Sequence, residues 1–413
     1  MELLECFPAP IVAVLRDAGR ISAALAFGSR CQLTSTPETG CRMGNNDQVS
    51  SIVKSIKMGS VPFSVLIFLT FTRTTSINYL ITYRYHFSSS HSLQITPIAR
   101  PHNLTLSMSS STTQTKTVLI LGATGKQGGA VINNLLASSI DFDIIAVTRD
   151  TSSTTARKLA SRGVTVIAGN LSDPASIFAR AGRPIWGVFG VQVNSGAEEQ
   201  QGRTLVDAAV SHGVRHFVYS SGDRGGPEES AVNPTGVQNF AAKYHIEKHL
   251  EARAAFSAQG MTYTVLRPVT FFENLTTDRH GLGFARMWEQ LGDKKLQLVS
   301  TADIGWFAAQ SFLGPEDPRY RNAALTLVGD ELTQPEGDAI FTKIVGRAMP
   351  MAPCVVGSVV KWVFKDTAGD MFAWFKEHGY GGSVSECRSI YPKMQDFRAW
   401  MEENKGLWVK AEN

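Results

Sequence analysis

Cysteine is scarce in this chain: five residues in 413, of which Cys6, Cys31 and Cys41 fall near the start and only Cys354 and Cys387 in the rest. No two form a C-x-x-C pair, and no spacing matches a metal site. A disulfide framework and a cysteine-bound metal are therefore not expected, and the thiols read as reduced, in a reducing compartment. Excess charge is missing too. The net charge is +4, but residues 1–108 carry nine Lys/Arg against five Asp/Glu, and the remaining 305 residues carry 31 of each. A neutral body gives no electrostatic case for direct nucleic-acid binding. Long apolar runs are absent as well. The run at 61–71 is about 11 residues and contains Pro62, whereas a bilayer span takes about 20, so no membrane segment is expected. That run also lies too far from the N-terminus for a secretory signal.

Residues 1–108 lack periodicity and recur in Ser and Thr. They read as a disordered extension or an over-extended reading frame, with the folded body starting just after Met108. The acid-poor stretch 51–100 keeps organelle targeting open as an alternative. Otherwise a cytoplasmic protein is expected, with nuclear residence also open.

What is present begins at Thr117. An apolar, β-branched run (Val118, Leu119, Ile120, Leu121) breaks into Gly122, Gly125 and Gly128, and continues as a helix-like pattern through Val131, Ile132 and Leu135. Strand, glycine turn, helix is the context in which G-x-x-G-x-x-G signifies dinucleotide binding. The first glycine permits the turn, the second lets the backbone approach a pyrophosphate, and the third lets helix pack on strand. The free N–H groups of the helix start then face the anion. Thr124, Lys126 and Gln127 fill the loop, and Lys126 adds positive charge.

The pattern then alternates. Strands are expected at 117–121, 143–147, 165–168, 185–190, 216–220 and 262–266, and helices at 127–137, 153–161, 174–181, 196–212 and 238–258. Such alternation implies right-handed crossovers and a parallel sheet covered on both faces. The expected fold is α/β: a doubly wound Rossmann sheet over residues 115–268, followed by a smaller α+β C-terminal lobe over 269–413. Ligand then binds at the carboxyl ends of the strands.

Those ends supply the candidate site. Arg149 follows the second strand, about 20 residues beyond the glycines, where an acid would bond the ribose of NAD and an Arg accommodates the 2′-phosphate of NADP. NADP (NADPH) is therefore favoured over NAD, with Asp150 as the discordant neighbour. Gly169 and Asn170 end the third strand, Asn170 as an adenine contact. Asp173 before Pro174 reads as a helix cap. Phe189 and Gly190 end the fourth strand, Gly190 allowing close passage of the cofactor. Ser220 and Ser221 end the fifth, beside the expected nicotinamide. In the following helix Lys243 is present, but the position four residues earlier, where short-chain dehydrogenases carry a tyrosine, is Asn239. Tyr244 is rotated by about 100° from Lys243 and does not replace it. Lys243 is the one catalytic candidate, as ribose holder or base. His245 and His249 share a helix face, but with no third ligand nearby they read as surface residues. Met371, Phe372, Trp374 and Phe375 read as core.

Together these residues resemble the NmrA-like family of atypical short-chain dehydrogenases, which is related to the isoflavone reductase-like enzymes and to the NADPH sensor HSCARG. The resemblance covers residues 117–407. It rests on Gly122 to Gly128, Thr148-Arg149, Gly169 to Asp173, and Lys243 with Glu247. It rests further on Leu266-Arg267-Pro268 with Phe271-Phe272-Glu273-Asn274, Ala302 to Gly305, and Trp374-Phe375 leading to Gly379-Tyr380. It implies an NADP-binding Rossmann domain with a small C-terminal lobe, and adds Pro268 and Phe271 to the cofactor-binding set. It also implies either an NADPH-dependent oxidoreductase acting on a small molecule, or a catalytically silent redox sensor that regulates a protein partner. Substrate, partner and oligomeric state are not readable from the sequence.

Overall fold

The computed structural model describes residues 115–353 and 370–409, and before them only the backbone of the strands Val12–Asp17, Arg20–Leu25, Cys41–Met43, Asp47–Val49, Leu66–Phe71, Tyr79–Phe87 and Leu93–Pro97. The chain divides into two units, Met1–Ser110 and Ser111–Asn413. In the first, the strands pair antiparallel. The remainder of that segment, with the expectation of disorder placed on it, lies outside the described residues, as does Cys354.

The second unit is built on seven strands: β1 Lys116–Ile120, β2 Phe142–Thr148, β3 Thr165–Ala168, β4 Gly187–Gly190, β5 His216–Ser220, β6 Thr262–Pro268 and, after two short strands elsewhere, β9 Ala323–Leu327. Their order is β3-β2-β1-β4-β5-β6-β9, every neighbouring pair parallel. The order reverses between β1 and β4, so their carboxyl ends flank the crevice where a doubly wound sheet binds ligand.

Strand β1 shows why its sequence is apolar throughout. Val118 and Ile120 enter one buried cluster, Leu119 and Leu121 the other, because alternate side chains leave opposite faces. On the first face lie α1 (Lys126–Leu136) and α8 (Thr301–Leu313), through Val131, Ile132, Ile304 and Phe307. On the second lie α3 (Pro174–Ala181), α4 (Glu198–Ser211) and α6 (Gln238–Ala255), through Ile177, Leu205, Ile246 and Leu250. Helices α1 and α8 approach so closely that a Cβ on Gly305 would sit 2.5 Å from Ala130.

The division of the body is expected at residue 268. Helix α8 and strand β9 follow it in sequence but belong to the main sheet, where Leu325 and Leu327 pair with Leu266 and Pro268. The separate part is a small sheet of β7 (Thr270–Phe271), β8 (Leu296–Val299) and β10 (Asp330–Leu332), with a third core around Phe240, Phe284, Trp288, Trp374 and Trp400. Phe372, Trp374 and Phe375 are buried in that core, as read from the sequence. No helix among the described residues is long and apolar enough to cross a membrane.

Candidate functional site

Because the seven strands are parallel, the loops after β1, β2, β3, β4 and β5 gather at one edge. The loop after β1 turns at Gly122, whose φ is +61°, in the left-handed region that favours glycine. Gly125 donates its N–H to the Gly122 carbonyl at 2.9 Å and becomes the N-cap of α1. A Cβ on Gly128 would lie 2.4 Å from the Gly122 oxygen, so only glycine lets α1 start this close to the strand. Helices α2 (Thr154–Ala160), α3 and α8 each have a side-chain cap at the N-terminus, from Ser153, Asp173 and Ser300. Helix α1 has none, and no acid in its first turn. Its leading amides, with the positive end of the helix dipole, suit an anion. These features fit the pyrophosphate of a dinucleotide.

Two contacts tie the loop into the site. Ser220 Oγ donates to Gln127 Oε1 at 2.6 Å, joining β5 to α1. Lys126 Nζ donates to the Glu273 carbonyl at 2.7 Å, joining α1 to the turn after β7. Glu273 in turn accepts from the N–H and Oγ1 of Thr301 at the start of α8. Thr124 is exposed in the loop.

Beside the loop, at the ends of β2 and β3, is a cavity of about 450 Å³ lined by Arg149, Gly169, Asn170, Asp173, Ser176 and Arg180, with Ala168. Asp150 does not line it. Its carboxylate is taken up by the N–H and Oγ of Ser152, and these bonds hold it below the usual carboxylate range. One residue missed in the sequence is Arg180. It sits in the last turn of α3, where a cation complements the helix dipole, and it donates to the Ala168 carbonyl at 3.3 Å. Two guanidiniums thus meet at one cavity. Asp173 caps α3 by accepting from Ser176 N, as its place before Pro174 suggested.

Four further expected residues, Phe189, Gly169, Gly190 and Asn170, also make contacts within the fold. The Phe189 ring is fully buried in the core, so only its backbone faces the edge, its carbonyl accepting from Leu121 N. A Cβ on Gly169 would meet Val147 and Ile177 at 2.6 and 2.8 Å, and one on Gly190 would meet Phe217 at 2.9 Å. Helix and strand packing therefore leaves no room for a side chain at either position. Asn170 Oδ1 accepts from Ser172 N in a local turn.

Past β5 the site changes character. Lys243 on α6 reaches the edge, its Cδ 3.5 Å from where a Gly222 Cβ would stand, with the Pro268 carbonyl 3.9 Å from the same point. Lys243 Nζ pairs with Glu198 Oε1 at 2.5 Å. Asn239 turns toward the second lobe, its amide near Met371 Sδ at 3.7 Å and its Oδ1 buried without a partner. Tyr244 lies against Arg224 and Lys248. His245 and His249 bond Glu199 and Asp207 on α4, each at 2.9 Å. Phe271, half-buried, packs on the first core. Beneath this, Glu247 is fully buried between Arg267 Nη2 at 2.7 Å and Arg224 Nη2 at 3.0 Å, and also accepts from Ser221. This triad locks the β5 and β6 ends together.

Sequence comparison carries the same message over the same span. The family model described as NmrA-like family matches residues 114–401. The chain belongs to the NmrA-like family. Among curated relatives, the "NmrA-like family domain-containing oxidoreductase FrzB" of Cladobotryum sp. is 31% identical over 175 residues, 39% of this chain and 48% of the relative. The chain thus spans about half the length of the first curated relatives it matches. Among solved structures, the NADPH-dependent quinone oxidoreductase QOR2 of Escherichia coli, complexed with NADPH, superposes with a TM-score of 0.55 at 21% identity, covering 70% of this chain and 99% of that one. NmrA, a negative transcriptional regulator, in complex with NADP, superposes at 0.52 and 19%, covering 70% and 95%. Both share the fold with this NmrA-like chain.

Proposed function

We propose that this NmrA-like protein binds NADP(H) and acts as an NADPH-dependent oxidoreductase on a small molecule. The carrying observation is one shared edge. It holds an uncapped glycine loop, a cavity with Arg149 and Arg180, and Lys243 beside Gly222. The loop suits the pyrophosphate, and the two arginines suit a ribose 2′-phosphate, since guanidinium is the side chain best matched to phosphate. Asp150, engaged with Ser152, does not compete for a ribose hydroxyl at this cavity. NAD is correspondingly disfavoured.

A nicotinamide bound here supplies the hydride. Lys243 contributes N–H donors to oxygens at the reacting end, and the apolar lobe after residue 268 excludes water from it. Relatives named oxidoreductases support turnover. The competing reading is a dinucleotide sensor for a protein partner. Asn239 favours it, because its amide faces Met371 and it occupies the position, four residues before Lys243, where a tyrosine would share the helix face. The proposed domain limits are a dinucleotide-binding part over 115–268 completed by α8 and β9, and a substrate or partner lobe from the rest.

The test is NADPH consumption followed by absorbance against a panel of quinones, azo compounds and enones. Turnover that Lys243→Ala lowers at least about tenfold, the loss of one charge-assisted contact, supports the enzyme. Tight NADPH binding with no substrate-dependent loss of absorbance across the panel leaves the sensor.

A further inference from the structure

Glu198 is the first residue of α4, and its side chain is wholly buried. A buried carboxylate needs a counter-charge. The only described partner is Lys243: Glu198 Oε1 meets Nζ at 2.5 Å, while Oε2 is buried with no partner at all. The Lys243 side chain is 15% exposed, so the pair is asymmetric, with the acid sealed beneath the helices and the ammonium at the edge. The stem of Lys243 runs beside Gly222, immediately after β5, while Glu198 follows β4. The pair therefore spans the two strand ends nearest the reacting half of the crevice. Tyr219, next to last in β5, has its hydroxyl pushed well above its ordinary value by burial and then by the charge of Glu198.

A free lysine side chain samples many rotamers. Pinning one end of its motion to a buried acid removes much of that freedom before a ligand arrives. Of the three N–H donors on Nζ, one is committed to Glu198 and the others remain for ligand oxygens.

We propose that Glu198 is a positioning residue: it holds Lys243 at the crevice so that its free N–H groups meet a hydroxyl-bearing ligand group, the ribose on the nicotinamide side of the dinucleotide. The inference rests on the dinucleotide reading above. Glu198 touches Lys243 and not the ligand, and no proton leaves it.

The test is fluorescence titration of the full chain with NADPH and with adenosine 2′,5′-bisphosphate, which lacks the nicotinamide ribose. Wild type is compared with Glu198→Gln, Glu198→Asp, Lys243→Met and the Glu198→Gln/Lys243→Met double variant. Glu198→Gln should weaken NADPH about tenfold, the scale of one charge-assisted hydrogen bond. It should leave the bisphosphate within about twofold, since contacts at the other half of the site are untouched. Glu198→Asp, which keeps the charge, should lie between Gln and wild type. In the Lys243→Met background Glu198→Gln should add nothing, because it acts only through the lysine. NADPH affinity unchanged in Glu198→Gln overturns the proposal. Equal weakening of both ligands, or additivity in the double variant, also overturns it by showing a role in general integrity. Wild type binding neither ligand defeats the dinucleotide reading itself and removes this inference with it. That outcome is distinct from a binding wild type that the substitution leaves unaffected.

Discussion

Two adjacent glycines at the start of α1 make opposite predictions. A Cβ on Gly128 would fall 2.4 Å from the Gly122 oxygen, 2.6 Å from its carbonyl carbon and 2.8 Å from the Leu121 oxygen. All three are backbone atoms that no rotamer change can move aside. A Cβ on Gly129 would meet only the Ala123 oxygen, at 3.6 Å, an ordinary contact. Neither residue has a positive φ, so space alone separates them. Gly128→Ala should therefore cost about 1–3 kcal/mol as an overpacked site. Gly129→Ala should be neutral or gain up to about 1 kcal/mol from helix propensity. The binding consequence is sharper. Relieving the Gly128 clash pushes α1 from the strand and misdirects the amides proposed to cradle the anion, so NADPH affinity should fall at least about tenfold, one 1.4 kcal/mol step. Gly129→Ala should stay within about twofold on the same scale. Urea unfolding gives the stabilities and NADPH fluorescence the affinities. Two variants indistinguishable in both assays would refute the reasoning that Gly128 exists for close approach.

Other predictions concern the buried charges. His216, fully buried between the hydroxyls of Thr262 and Ser311, has its pKa lowered from 6.5 to about 3 by burial, with a smaller effect of Lys116. Below 6.5 the unfolded chain takes up a proton that the folded one refuses. Stability is therefore complete above 6.5 and falls as pH drops toward about 3, by about 2 kcal/mol between pH 6.5 and 5. His216→Gln should remove this slope in urea midpoints, and an unchanged slope contradicts it. Glu247→Ala strands Arg224 and Arg267 without a counter-charge. It should cost about 3–5 kcal/mol in urea unfolding, and a loss under about 1 kcal/mol would show the triad to be dispensable.

Much of this fold is legible in the sequence. The β1 run, the three glycines and the alternation of periods located six parallel strands, because burial on both faces forces continuous apolar runs. Asp173 was read as a cap from its neighbour Pro174. The fate of α8 and β9 was not legible. A helix and strand after residue 268 look the same in sequence whether they rejoin the first sheet or build a second; the close contact of Gly305 with Ala130 places the helix and the pairing of β9 with β6 places the strand. Glycine at a strand end suits both close passage of a ligand and tight packing, and only the fold brings Ile177 against Gly169 and Phe217 against Gly190. Arg180 and Glu198 escaped notice for a common reason. A cation in a last helical turn and an acid in a first one are ordinary dipole partners, and their distant companions, Arg149 and Lys243, are brought beside them only by the fold.

The edge holding Gly122, Arg149 and Lys243 is the proposed NADP site. Calorimetric titration of NADP⁺ and NAD⁺ into wild type and Arg149→Ala tests it most directly. The account predicts wild-type preference for NADP⁺ of about tenfold or more, the scale of a charge-assisted phosphate contact, collapsing toward parity in Arg149→Ala. Equal wild-type affinities would contradict the assignment of the 2′-phosphate to the Arg149–Arg180 cavity, and binding of neither would contradict the site itself.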